Sequence, residues 1–188
     1  MQLGFGVHAL GAGLLLASPE RWPLVLGAVA ARHAVATAAG MWPRSRLLGP
    51  NLLRLSESQA RAGCVALTLD DGPHPEVTPQ VLDLLDRYHA QATFFCVGRK
   101  VEAHAELARA IVRRGHQIGN HTYAHSNAFA FNGPRGMKRE IERGQQAIER
   151  VTGRLPTLFR APAGIRNPFL EPVLCRLGLH LTAWTRRG

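Results

Sequence analysis

Two acids stand side by side at Asp70 and Asp71, and Gly72-Pro73 turns the chain directly behind them. Like charges this close repel unless a cation or an arginine compensates. The same chain offers candidates for both. His121 and His125 are four apart, which on a helical turn puts both imidazoles on one face. A carboxylate and two imidazoles give three protein ligands and leave a position open for water, the arrangement of a catalytic zinc site, not a closed structural one. Taken alone, His121 and His125 read better as surface or capping histidines; the Asp-Asp pair at another strand end reverses that preference. Arg160, in Arg160-Ala161-Pro162-Ala163-Gly164, can pair with the carboxylate that does not bind metal. Pro162 and Gly164 impose an irregular loop whose backbone N–H groups can face a pocket.

Elements of an α/β fold must bring these segments together. Cys64-Val65-Ala66-Leu67 is a short apolar run that reads as a buried interior strand ending at the two acids. Carboxyl ends of strands are where open α/β sheets and barrels bind ligands. Ala92–Val97 reads as a second strand, His116–Gly119 as a third leading into His121, Thr157–Phe159 as a fourth leading into Arg160, and Leu179–Trp184 as a fifth. Helical patterns lie between them. Thr78 is a good N-cap ahead of Pro79, with Val81, Leu82, Leu84 and Leu85 as the apolar face. Val101, Ala105, Ala108, Ile111 and Val112 keep helical spacing up to Gly115, as do Met137, Ile141, Ile148 and Val151 up to Gly153. A further helix is expected over 167–177. Repeated βα units predict a parallel sheet or barrel.

The N-terminal part is of a different character. An apolar run of about fifteen residues starts at Leu3, short for a span of roughly 20. A second run from Trp22 to Trp42 has a tryptophan at each end, where interfacial aromatics sit. Arg32-His33 in its middle is costly in lipid unless the helix packs or tilts. Together these predict membrane association through residues 3–42, as a helical hairpin or an interfacial anchor, with a signal peptide as the competing reading. Arg44 and Arg46 favour a cytoplasmic side for the residues C-terminal to them. The formal charge is +10, from 23 Lys+Arg against 13 Asp+Glu, yet the arginines are scattered and no basic stripe is interleaved with aromatics, so nucleic acid is not the expected partner. Cys64, Cys96 and Cys175 are odd in number and lack metal or redox spacing; Cys64 and Cys96 are expected as small buried hydrophobes.

The three motifs in order resemble those of the polysaccharide deacetylases, carbohydrate esterase family four, whose fold is called the NodB-homology domain. Thr68 to Pro73 matches the first motif with Leu69 in place of Phe, His121 to His125 the second, Arg160 to Gly164 the third, and Trp184 opens the fourth. The resemblance implies a distorted (β/α) barrel over 64–188, preceded by a linker at 47–63 and the apolar helical segment 1–46. It implies that Asp71, His121 and His125 bind a divalent metal, most often Zn2+, that Asp70 is the general base held by Arg160, and that the backbone N–H of Ala163 helps hold the developing oxyanion. The substrate implied is an N-acetylated or otherwise N-acylated amino sugar of a polysaccharide, oligosaccharide or glycolipid. The match departs from the family after Trp184: the fifth motif, which carries the general-acid histidine, is not in the chain, so the barrel is expected to be incomplete with an open sheet edge. A non-catalytic carbohydrate-binding form of the fold is the alternative, and His74 or His180 are candidates for a substitute acid.

Overall fold

The computed structural model describes residues 2–186; Met1, Arg187 and Gly188, at the ends of the expected segments, lie outside the described residues. Five parallel strands form one sheet in sequential order: β1 (Leu67–Gly72), β2 (Ala92–Cys96), β3 (Gln117–Asn120), β4 (Leu158–Phe159) and β5 (His180–Leu181). Because all run the same way, every carboxyl end opens on one rim. Helices connect them: α4 (Val77–Arg87) follows β1; α5 (Gly98–Ala103) and α6 (Ala105–Arg113) follow β2; α7 (Pro134–Thr152) follows β3; α8 (Leu170–Arg176) follows β4. Three helices precede the sheet: α1 (Gln2–Ala17), α2 (Trp22–Met41) and α3 (Glu57–Arg61).

Helix α7 joins the two halves of the core. Ile148 lies in a cluster with Leu82, Leu85, Phe94, Ile111 and Ile118. Met137 and Ile141 lie in another with Phe129, Phe159, Leu170 and Leu181. One amphipathic face therefore covers both ends of the sheet, as the spacing predicts. Gly153, at φ 68°, supplies the left-handed residue that ends the helix. Helix α7 approaches the rim through Gly144. A Cβ there would meet Asn120 Oδ1 at 2.7 Å and the carbonyl carbon of Thr122 at 2.9 Å.

Several elements depart from the sequence reading. The run Cys64–Leu67 is not an interior strand. Cys64 and Val65 are exposed, the strand begins at Leu67, and β1 is an edge of the sheet with no neighbour beyond it among the described residues. An edge strand buries less of its backbone and side chains, so apolar composition alone misplaces it. Cys96 is buried, and burial pushes its thiol up to about 12. The helix expected to start behind Thr78 starts at Val77, and the Thr78 hydroxyl instead accepts from the His74 N–H at 2.8 Å. The expected helix over 101–112 is broken at His104 into α5 and α6.

The far edge is not bare. Leu52 pairs with Thr182, its N–H donating to the Leu181 carbonyl at 2.8 Å and its carbonyl accepting from the Ala183 N–H at 3.1 Å. Part of the stretch expected as linker thus lies against β5 and satisfies backbone groups that an open edge would leave to water. Among the N-terminal helices, the segment Pro19–Met41, 23 residues with mean hydropathy 1.4, is long and apolar enough to cross a membrane; α1 is shorter.

Gly144→Ala is expected to lower stability by about 1–3 kcal/mol through overpacking against the Asn120 side chain and the Thr122 backbone. Gly27→Ala, inside α2, where a Cβ meets nothing within 4 Å, is the control. Denaturant midpoints of the detergent-solubilised chain read the difference; equal midpoints would contradict the close approach.

Candidate metal centre

Asp71 ends up facing the two histidines. Its Oδ1 lies 3.0 Å from His125 Nε2 and 3.5 Å from His121 Nε2. Ligand atoms of the three residues all fall within 4.8 Å of one another, and the imidazole centroids are 4.7 Å apart. The local backbone makes this possible. The sheet register slips between Leu69 and Gly72, and Asp71 sits at φ 65°. Its carboxylate is thereby turned to a direction that regular strand alternation does not offer. Lys100, from the start of α5, donates to the Asp71 carbonyl at 2.7 Å.

The histidines reach the site from a loop, not from the helical turn that their spacing suggests. Residues 121–125 are irregular, with Thr122 at φ 64° and His125 at φ 51°. Asn120 holds this loop at both ends of its amide: Oδ1 accepts from the Thr122 N–H at 2.8 Å and Nδ2 donates to the Ile141 carbonyl at 2.8 Å. Thr122 Oγ1 accepts from the His125 N–H at 3.0 Å, and Glu140 Oε2 accepts from the Ala124 N–H at 3.0 Å. The i, i+4 spacing brings the rings together because two left-handed residues fold the loop back on itself. Among the described residues five non-glycine residues have positive φ, and four of them are Asp71, Thr122, His125 and Ala163, so backbone strain is concentrated at the three motifs.

His121 is buried, and its Nδ1 donates to the Arg160 carbonyl at 2.7 Å. That hydrogen bond orients the ring so that Nε2, the nitrogen a metal would use, faces Asp71. The hydrogen bond with His121, together with the nearby cationic potential, holds the Asp71 carboxyl below its ordinary value against the opposing effect of burial. Burial, and then the neighbouring His121, pull His125 below the usual imidazole range, so it stays neutral and available. One carboxylate and two imidazoles at this spacing suit a divalent metal.

Asp70 points elsewhere. Its Oδ1 accepts from Arg160 Nη1 at 2.6 Å, and the same nitrogen donates to Thr68 Oγ1 at 2.8 Å. The Arg160 guanidinium is buried, stacked 4.0 Å over the Phe95 ring and 5.5 Å from that of Trp184. Burial lowers its proton affinity, and Asp70 offsets that by favouring the charged form. Its Nη2 is buried with no hydrogen-bond partner among the described residues. Ala163 lies in the loop behind Arg160 at φ 53°, exposed between buried Pro162 and Gly164. The three motifs therefore converge on one rim. Sequence reasoning missed Thr68, Phe95, Lys100, Asn120 and Glu140. Thr68, Phe95 and Asn120 lie on strands leading to that rim, a positional signal that was available. His180 begins β5 rather than ending it, and His74 Nδ1 accepts from backbone N–H groups of its own turn.

A family model described as Polysaccharide deacetylase matches residues 57–182. The chain belongs to the polysaccharide deacetylase family. It is 37% identical over 121 residues to a peptidoglycan-N-acetylglucosamine deacetylase of Bacillus cereus, covering 64% of this chain and 56% of that protein. It is 35% identical over 133 residues to a chitooligosaccharide deacetylase of Azorhizobium caulinodans, covering 70% and 61%. The solved family 4 carbohydrate esterase from Streptomyces lividans, in complex with acetate, superposes with a TM-score of 0.61 at 38% identity, covering 64% of this chain and 62% of that one. This polysaccharide deacetylase chain thus spans less than two thirds of these relatives. Its α/β fold is theirs, and its five parallel strands are the shared part.

Arg160→Met removes the only side-chain donor that the described residues give Asp70. Stability is expected to fall by about 1.5–3 kcal/mol, the scale of a hydrogen bond to a charged group. A denaturant midpoint equal to that of the unaltered chain would contradict the assignment.

Proposed function

We propose that this chain is a metal-dependent hydrolase that removes N-acetyl, or other N-acyl, groups from amino sugars of a polysaccharide, oligosaccharide or glycolipid. The division of labour between two adjacent acids carries this reading. Asp71 lies 3.0 Å from one imidazole and 3.5 Å from the other, while Asp70 is turned to Arg160 at 2.6 Å.

Asp71, His121 and His125 would hold the metal, and Zn2+ fits a set of one carboxylate and two imidazoles with room for a further ligand. When bound, such a metal supplies Lewis-acid polarisation of an acyl oxygen and lowers the pKa of water. The chain's own residues supply the rest. Arg160 holds the Asp70 carboxylate, which would accept a proton from an attacking water. Phe95 beneath the guanidinium and Thr68 beside it fix the arginine, so Asp70 is presented in one orientation. Ala163, exposed on its left-handed loop, offers a backbone N–H for charge that develops on the acyl oxygen. The names of the relatives support an N-acetylated sugar: one is named for N-acetylglucosamine in peptidoglycan and one for chitooligosaccharide. The helix within Pro19–Met41 would anchor the catalytic part at a membrane.

Acetate release from N-acetylglucosamine oligomers, with metal analysis of the purified full chain, tests this reading. Asp70→Asn is expected to abolish turnover, by at least about 100-fold for loss of a general base, while metal content is kept. Asp71→Ala and His121→Ala are expected to lose the metal itself. A fully loaded His121→Ala protein would sink the ligand assignment. Binding of oligomers without acetate release by a loaded protein would leave the non-catalytic form.

The pH dependence of metal retention has a definite sign. Metal binding needs neutral imidazoles and an ionised Asp71. His125 is shifted down and Asp71 is shifted down, so both stay competent below the ordinary histidine range. Metal content after dialysis is expected to stay flat from pH 8 to about 6.5 and to fall below about 6. Release with a midpoint above pH 7 would contradict it.

A further inference from the structure

A cleft of about 500 Å³ lies between the end of α2 and the segment that follows β5. Met41, Trp42, Pro43 and Arg44 line one side, Trp184 and Thr185 the other. It shares a wall with the catalytic rim. The Trp184 ring is 5.5 Å from the Arg160 guanidinium carbon. The third motif forms the boundary: a Cβ on Gly164 would meet the Trp184 ring at 2.7 Å and Pro43 Cγ at 2.9 Å. Gly164 therefore keeps Pro43 and Trp184 close to the loop that carries Ala163.

The α2 side of the cleft is fixed to the catalytic part. The Arg166 N–H donates to the Gly40 carbonyl at 3.0 Å, and its guanidinium donates to the Ser45 carbonyl. Asn51 Nδ2 donates to the Pro43 carbonyl at 2.8 Å and the Ser45 carbonyl at 3.1 Å. Arg166 and Asn51 are both buried. The helix long enough to cross a membrane thus ends in the cleft, held there by hydrogen bonds from buried side chains. Exposed Trp22 and Trp42 bracket that helix, the places where indoles settle at a membrane–water boundary. Arg44, one residue past Pro43, is exposed and has no carboxylate partner among the described residues.

We propose that this cleft holds the phosphate-bearing head of a membrane-borne amphiphile whose N-acylated sugar enters the metal centre. The inference rests on the deacetylase reading and names the substrate class for it: a sugar linked through phosphate to a lipid. Each part has a match. The Arg44 guanidinium pairs with phosphate, for which its planar donors are suited. The indoles of Trp42 and Trp184 offer flat apolar faces to the sugar's C–H surface. The apolar surface of α2 runs from the cleft toward the bilayer, along the path of the tail. A rim fastened to the end of a helix of spanning length is held where the head of a lipid-linked sugar would lie.

The full chain in phosphatidylcholine nanodiscs tests this with two synthetic lipids, N-acetylglucosaminyl phosphate on a long alkyl tail and the same lipid with a neutral linkage. The unaltered chain is expected to bind the phosphate lipid at least ten-fold more tightly than the neutral one. Arg44→Gln is expected to remove that preference, and Arg44→Lys to restore most of it. In turnover, the ratio of kcat/KM for the phosphate lipid over a soluble N-acetylglucosamine oligomer is expected to fall about ten-fold in Arg44→Gln and in Trp42→Ala. Equal binding of the two lipids, or an unchanged ratio, overturns the proposal. So does an equal loss on both substrates with a lowered melting temperature, which marks a structural role. Hydrolysis of the oligomer with no binding of the phosphate lipid ends the proposal and leaves the deacetylase reading standing. Arg44-dependent binding by a metal-loaded chain that hydrolyses neither substrate supports the cleft and ends the deacetylase reading.

Discussion

Arg160 touches every other strand of the sheet or the segment that leaves it. Its guanidinium reaches Thr68 and Asp70 on β1 and lies on Phe95 of β2. Its N–H donates to the Asn120 carbonyl of β3 at 3.0 Å, and its own carbonyl receives His121. Its Nε approaches the Thr182 carbonyl behind β5 at 3.4 Å. A buried guanidinium is tolerated only when it is paired and hydrogen-bonded. The geometry of the rim is therefore tied to one charge balance, Arg160 against Asp70. One backbone carbonyl next to that charge also orients the His121 ring. Asp70 and His121 are organised by the same residue through different atoms.

The second constraint is backbone strain. Left-handed residues other than glycine are costly, and they persist where neighbours over-determine them. Here the neighbours are identifiable. Lys100 holds the Asp71 carbonyl, Asn120 and Thr122 hold the histidine loop, and Glu140 of α7 closes it from the other side. Their hydrogen bonds here involve backbone groups, not the side-chain atoms of Asp71, His121 and His125. They fix where those atoms are, and Gly144 leaves the room that α7 needs to do so.

The N-terminal part is not an independent appendage. Its final residues pair with β5 through Leu52 and are fastened by Arg166 and Asn51. A helix suited by length and composition to a membrane is thereby connected to the catalytic rim through a short junction held by buried side chains. This junction covers backbone of the last strand and forms one wall of the cleft beside Trp184.

The residue types and their order along the chain were enough to indicate the family and the parallel βα alternation, and they singled out Asp70, Asp71, His121, His125 and Arg160 as candidates. Those features are legible because they are local: an acid pair before Gly-Pro, a histidine spacing, an apolar period. The tertiary structure alone decided how the set works. Spacing suggested a helical turn for the histidines, whereas two left-handed residues held by side chains from elsewhere bring the rings together. Composition suggested an interior strand at Cys64–Leu67, whereas β1 lies at the edge, because burial depends on which strand comes next to it. The roles of Lys100, Asn120 and Glu140, and the fastening of residues 40–52, depend on partners far along the chain. No local pattern records such contacts; they exist only once the backbone has closed.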